Sequence, residues 1–363
     1  MTPIDLIVVN ARIYTGESTD PWVEALASEA GRICKLGSRA DIESLASAET
    51  RRLDAGGRTV LPGFIDAHVH PIFAFQLGSW IDLSDHPSLA EVQRRVRSFA
   101  TDHPQETVLR GFGFDYQALT DTGLPTSRDL DDAERDRPVI LDSWDGHTAW
   151  TNGRFVDLAK SHFQSLGHEV GDPERDPQTG ELTGIFRVSF DLDLPELKSR
   201  RSLDGLRQFL ATAARYGITT VFDVQVPLED LESYELLQSQ GELPIHVEVA
   251  IYHPPSTTPG QYAAFHLASE RCVGNRLRAG AVKLYIDGVQ ETHSAYLLRP
   301  YTDQPSSQGE TVYKTSDFRT IVAELDRRGF QILTHACGDG GVRIVLDAYE
   351  SLKLDAGRPP SRH

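Results

Sequence analysis

The stretch PGFIDAHVHP, Pro62 to Pro71, sets two histidines two residues apart at the end of an apolar run. Side chains on a strand alternate between its two faces. Phe64, Asp66, His68 and His70 therefore share one face of a short strand predicted to be buried, and Ile65, Ala67 and Val69 share the other. Two imidazoles at i and i+2, at the carboxyl end of a strand, can hold one cation if other ligands converge on them. A pair of hydrogen-bonded histidines near a turn is the alternative, and the stretch alone does not choose between them.

On its amino-terminal side, residues 1–61 read as β-structure. DLIVVNARIYTG is β-branched and ends in a glycine turn, GRICKLGS is a short strand between glycines, and RRLDAGGRTVLPG reads as a hairpin leading into Pro62. On its carboxyl-terminal side the pattern becomes strand and helix in alternation. SLAEVQRRVRSFATDHP is an amphipathic helix with Leu89, Val92, Val96 and Phe99 on one face and a capping box of Ser88 and Glu91. PVILDSW, ITTVFDV, LPIHVEVAIY, GAVKLYIDG and FQILTHA are apolar strands. SLDGLRQFLATAARYG, TSDFRTIVAELDRRG and GGVRIVLDAYESLK are helices. Such alternation predicts a parallel sheet with covered faces, either an open doubly wound sheet or a (β/α)₈ barrel. No GxGxxG follows an early strand, which counts against dinucleotide binding.

The bulk properties fit an ordinary globular chain. There are 363 residues, 39% of them hydrophobic and 25% charged, with a net charge of −17. That charge and the lack of a basic stripe argue against a nucleic-acid partner. Three scattered cysteines form neither a CxxC pair nor a disulfide framework, so a reducing, cytoplasmic setting is expected. The first residues lack the pattern of a signal peptide, and no apolar run is long enough to span a membrane.

Two further strand ends carry polar groups that a buried strand would not ordinarily hold. Lys283, in AVKLYIDG, shares a face with Tyr285 and Asp287. A lysine in an apolar strand needs a partner, because lysine is almost never fully buried alone. Snorkelling to the strand end or pairing with a carboxylate would satisfy it. So would reaction with carbon dioxide to give a carbamate, an anionic oxygen ligand able to bridge two metals. His335 closes the strand ILTHA, where a core histidine bonded to the backbone is the plain alternative. Together the strand ends read His-x-His, Lys, His, an order that independent structural roles would not be expected to produce.

The motifs PGFIDAHVHP, DSWDGHTAWTN, GAVKLYIDGVQE, LLRPYTD and ILTHACGDGG, in this order, resemble the metal-dependent amidohydrolase superfamily. The branch they are most similar to, amidohydrolase family 3, includes N-substituted formamide deformylases. The resemblance implies a (β/α)₈ TIM-like barrel with a small β-sandwich domain. Residues 1–61 would be the N-terminal part of that sandwich. Residues 62–363 would be the barrel, with 85–202 an insertion after strand 1 that covers the active site.

The resemblance also implies a site and a chemistry. His68, His70, carboxylated Lys283 and His335 would hold one or two divalent cations, zinc being typical. His147, Trp150, Asp287 and Tyr301 would line the substrate pocket. A metal-activated water would attack a non-peptide carbon–nitrogen bond of a small amide or formamide. Deamination at a ring carbon is a weaker alternative, and a homodimer is left open. Gly340 departs from the branch, where an arginine usually follows the aspartate of this block. The family's strand 6 histidine and strand 8 aspartate, a metal ligand and the general base, have no counterpart before His363. The chain is therefore expected to be C-terminally truncated, with barrel strands 1–5 present and no certain catalytic residue. A catalytically inactive fragment or pseudoenzyme is the rival reading.

Overall fold

The computed structural model describes residues 3–17, 19–71, 80–115, 125–144, 146, 148–165, 175, 180, 182–186, 203–352 and 363. The chain divides into two compact units. One comprises Met1–Ile65 with Gly217–Thr219, and the other Asp66–Tyr216 with Thr220–His363.

The first unit is built on two small sheets. Its strands are β1 (Leu6–Val9), β2 (Arg12–Tyr14), β3 (Trp22–Val23), β4 (Ala25–Glu29), β5 (Arg32–Gly37), β6 (Arg51–Asp54) and β7 (Thr59–Val60). They order as β5-β4-β1-β6 and β3-β2-β7. Alternation in LIVV explains the packing. Ile7 and Val9 point to a cluster with Ala25, Ala27 and Ile42, whereas Val8 packs with Leu26 and Ile13. Ile42 comes from a short helix, Arg39–Glu43, whose N-cap Ser38 accepts the Asp41 amide. The hairpin expected for RRLDAGGRTVLPG does not form. β6 runs parallel to β1 and β7 parallel to β2, so the two strands lie in different sheets. Gly56 and Gly57, both at positive φ, make the turn that carries the chain across. Asp54 steadies it by accepting the Gly56 amide and the Asn10 side-chain amide.

In the second unit, one five-stranded sheet carries the order β17-β16-β15-β14-β8. Its strands are β8 (Phe64–Val69), β14 (Ile218–Val226), β15 (His246–Tyr252), β16 (Leu277–Tyr285) and β17 (Gln331–His335). The ladders from β14 to β17 are parallel. The helices 203–215, 231–239, 262–271 and 315–327 precede or separate these strands, and helix 339–351 follows β17. Phe318, Val322 and Leu325 are the buried face of helix 315–327, as its periodicity predicts, with Ile321 at the margin. The apolar run at β8 reads as a buried strand, but Phe64 and Ile65 are 56% and 69% exposed. β8 is an edge of this sheet, so it has one strand neighbour rather than two.

The connection from β8 to β14 contains a second sheet. Its strands are β9 (Ile81–Asp82), β10 (Leu109–Phe114), β11 (Val139–Ser143), β12 (Ala149–Thr151) and β13 (Ile185–Phe186), ordered β13-β12-β11-β10-β9. β9, β10 and β11 are parallel, and β12 and β13 antiparallel. One face packs Leu109, Leu141, Trp150 and Ile185 against Val92 and Val96 of helix 89–102. Residues of the other face, Ile140, Ala149 and Phe186, cluster with Phe155, Val156 and Ala159 of helix 153–165. The capping box expected at Ser88 is not made. Ser88 is the N-cap but makes no side-chain cap bond, and Glu91 is taken by Arg94 and Arg95. An ion pair on the helix surface outcompetes the reach back to the cap.

Asn152 joins the elements of this sheet. It is fully buried, and its Oδ1 accepts the amides of Val139 and Phe155, both at 2.9 Å. Its Nδ2 donates to the carbonyls of Glu134 and Arg137, at 2.8 and 2.9 Å. All four bonding positions of the side chain are used. Asn152→Ala should lower unfolding stability by roughly 3–5 kcal/mol, because several buried backbone groups lose their partner at once. The shift of the urea midpoint measures it.

Candidate metal centre

The three expected strand ends lie on the same sheet. β8 carries His68 and His70, whose rings meet edge to face at 5.6 Å between centroids. The i, i+2 spacing therefore does put both imidazoles on one side. The Asp66 carboxylate accepts the His68 amide at 3.2 Å and holds the strand end. β16 carries Lys283, 4% exposed between the fully buried Val282 and Leu284. β17 ends at His335, directly opposite Tyr285 in the ladder.

Electrostatics tie three of these groups together. Burial pulls the His70 pKa down to about 4, and the neighbouring His68 and Lys283 act in the same direction. Burial and then Lys283 also lower His68, against the opposing pull of Asp66. Burial brings Lys283 down to about 8. Uncharged imidazoles are the form that binds a divalent cation, and a lysine lowered this far is partly unprotonated near neutral pH. The donor types at the centre thus fit such an ion. His335 is held by the adjoining loop: its Nε2 lies 3.1 Å from the Gly288 carbonyl, which can only accept, so Nδ1 keeps the lone pair. Cys337 Sγ is 3.3 Å from the same Nε2. Among the described residues, no three His, Cys, Asp or Glu side chains form a group able to hold a metal, so His68, His70 and His335 do not make up a ligand set by themselves.

The residues expected around the substrate have varied positions. Asp287 is 1% exposed, and its carboxylate accepts three backbone amides: Cys337 and Gly338 at 2.9 Å and Tyr296 at 2.8 Å. It binds the end of β16 to the turn before helix 339–351. That turn tolerates only glycine at 338, where a Cβ would stand 1.9 Å from the Tyr296 carbonyl oxygen. A Cβ at Gly340 would lie 2.7 Å from the Tyr296 ring, so this ring occupies the space that a side chain at 340 would need. Tyr301 is buried, donates to the Ala295 carbonyl at 2.7 Å and stands edge-on to His293. Trp150 has no exposed surface and donates its indole N–H to the Thr126 carbonyl at 2.8 Å. His147 lies outside the described residues. His363 meets the Ile332 amide and Asp326 on β17 and the neighbouring helix.

Two further groups are not among the residues that the sequence singled out. His253, immediately after β15, is 1% exposed, with Nδ1 and Nε2 each 3.2 Å from the hydroxyls of Tyr313 and Tyr262. Its partners lie 9 and 60 residues away in sequence, so periodicity could not have joined them. Gln225 on β14 is 4% exposed and accepts the Tyr285 hydroxyl. A buried glutamine inside an apolar strand was the available hint.

The family model described as the amidohydrolase family matches residues 51–362, and the chain belongs to that family. Protein LONG AFTER FAR-RED 3 of Arabidopsis thaliana is 26% identical over 97% of this chain and 62% of its own length. N-substituted formamide deformylase of Arthrobacter pascens is 24% identical over 96% of this chain and 66% of its own. The chain thus spans just under two thirds of these two relatives. The crystal structure of an uncharacterized metal-dependent hydrolase from Pyrococcus furiosus superposes with a TM-score of 0.67 at 25% identity, over 96% of this chain and 70% of that one. These likenesses imply a divalent metal. No helix among the described residues is long and apolar enough to cross a membrane.

Two consequences can be measured. Asp287→Asn should lower stability by roughly 2–4 kcal/mol in urea unfolding, because an amide N–H₂ would then face backbone donors. The second concerns pH. Burial lowers folded His253 to about 4, below the ordinary 6.5. As pH falls, the unfolded chain takes up the proton first. The contribution of His253 is therefore complete above about pH 6.5 and lost on the way down to about 4, a change of roughly 3 kcal/mol. His253→Gln should flatten the fall in urea midpoint between pH 7 and 4.

Proposed function

We propose that this chain is a metal-dependent hydrolase acting on a non-peptide carbon–nitrogen bond of a small amide or formamide. One observation carries the reading. Lys283 is buried on the sheet that also bears His68, His70 and His335, and burial is the main cause that lowers both β8 imidazoles, with Lys283 a smaller one. The family and the name of the Arthrobacter relative support the bond type. In this reading β8, β14, β15, β16 and β17 are the first five strands of the family's barrel, the N-terminal sheets belong to a sandwich, and residues 85–202 cover the site.

His68, His70, His335 and Lys283, carboxylated on Nζ, would hold one or two divalent cations, zinc by family habit. The metal supplies Lewis acidity and lowers the pKa of water that it binds. The chain's own side chains position those groups. Asp66 orients β8 through the His68 amide. Asp287 fixes the loop that presents Gly288 to His335. Burial lowers His70 to about 4, so this imidazole is uncharged near neutral pH and ready to donate. His147 and Tyr301 would stand on the pocket side of the proposal; Trp150, enclosed in the core of the second sheet, would not, and Asp287 acts through the loop it anchors.

A second reading is a chain that binds metal without turnover. It needs only an incomplete donor set, and among the described residues no three His, Cys, Asp or Glu side chains form one group able to hold a metal. One experiment separates the two. The 363-residue chain, loaded with zinc, is assayed on a panel of N-substituted formamides and amides, alongside His70→Asn and Lys283→Ala. Zinc-dependent turnover lost in both variants is the expected result. Each variant should bind zinc more than about a hundredfold more weakly, beyond the usual effect of losing an outer partner. Retained zinc with no turnover selects the second reading, and zinc binding unaffected by either substitution sinks both.

A further inference from the structure

We propose that Tyr285, tied to Gln225, is the positioning residue of this centre: its ring sets where the Lys283 amine and the His335 imidazole stand. The proposal rests on the reading of those two residues as metal-holding groups. It goes beyond that reading because neither Tyr285 nor Gln225 is a candidate ligand.

The geometry singles out Tyr285 because its side chain makes contacts on four strands. Its hydroxyl donates to Gln225 Oε1 on β14. Tyr252 of β15 meets its ring edge to face, 6.0 Å between centroids and 86° between planes. The Lys283 Nζ, on β16 itself, lies 5.0 Å from the ring centroid. The His335 ring of β17 lies 4.8 Å away, tilted by 31°. Lysine has a flexible four-carbon stem, so a buried amine takes a single position only if its surroundings impose one. An aromatic face within about 6 Å attracts that amine while it is charged, so the ring places it before carboxylation, and afterwards the ring acts by packing alone. The same ring limits the swing of His335, whose Nε2 is already anchored at Gly288.

Gln225 is what makes the ring a fixed reference. A tyrosine has two side-chain torsions, and the bond from its hydroxyl to a buried amide oxygen holds both. Gln225 is 4% exposed, so this partner is itself immobilised in β14. A ring that served only to fill space would need neither the hydroxyl nor the amide. Groups that orient ligands from outside the coordination shell typically change metal affinity by about 10–100-fold when removed.

The test uses the full chain with Tyr285→Leu, Tyr285→Phe, Gln225→Leu and the double variant His68→Asn/His70→Asn. Zinc affinity is measured by competition with a chelator, the cobalt(II) form by its d–d absorption, and the metal-free proteins by thermal unfolding. Tyr285→Leu should weaken zinc binding by about 10–100-fold and alter the cobalt spectrum. Tyr285→Phe and Gln225→Leu, which keep the ring and most of the packing, should weaken it by about tenfold with little change in unfolding temperature. Zinc binding within about twofold of the parent in both conservative variants, with an unchanged cobalt spectrum, would overturn the proposal. Parental affinity in the double histidine variant would sink the centre itself, and the proposal with it. Loss of affinity there beside parental affinity at Tyr285→Leu would sink the positioning role alone.

Discussion

In a parallel ladder every strand finishes at the same edge of the sheet, so whatever each carries at its carboxyl end is delivered to one place. β15, β16 and β17 meet that constraint in a definite register, with Tyr252 opposite Lys283 and Tyr285 opposite His335. A slip of one residue in β17 would turn His335 to the other face and remove it from the Tyr285 ring. The candidate centre depends on that register more than on any single contact. Its members are 215 residues apart along the chain at Lys283 and His68, and only strand pairing brings them onto one sheet.

Burial then decides the chemical state of these groups. An amine or imidazole removed from water is penalised in its charged form, and Lys283 and His70 both respond by a lowered pKa. The same physics gives a carboxylate a different role at Asp287. Three backbone donors occupy its oxygens, so it serves as an anchor for two loops rather than as a group waiting for substrate. Periodicity sets Lys283 and Asp287 on one face of a single strand, but β16 ends at Tyr285 and Asp287 lies in the loop beyond it. Their differing roles come from what the neighbouring loops offer to each.

Much of the architecture was legible because it rests on local patterns. The alternation of apolar strands with amphipathic helices after residue 203 reports the parallel sheet, and every one of those strands is present. The second sheet was nearly illegible. Only β11 among its strands reads as an apolar run; β10 is interrupted by Gly111 and Gly113, and β9, β12 and β13 are two or three residues long. Strands that short are defined by their partners, not by their own composition. The failed hairpin at β6 and β7 has the same cause: a glycine turn signals a reversal but not which sheet receives the next strand. At the site, His68, His70, Lys283 and His335 could be named from strand-end position. Gln225 and His253 could not, since each has side-chain partners on other elements up to 60 residues away.

By itself, then, the sequence determined the strands of the first parallel sheet, the edge of that sheet at which polar groups collect, and the residue types gathered there. Those follow from periodicity and from the high cost of burying a lone lysine or histidine, both of which act within one strand. Tertiary structure decided the rest: that β8 is an edge strand, that Asp287 is an anchor, that Trp150 is fully enclosed, and that Tyr285 lies between lysine and histidine. These are matters of which distant group fills the space beside a side chain, and a chain of residues carries no local record of that.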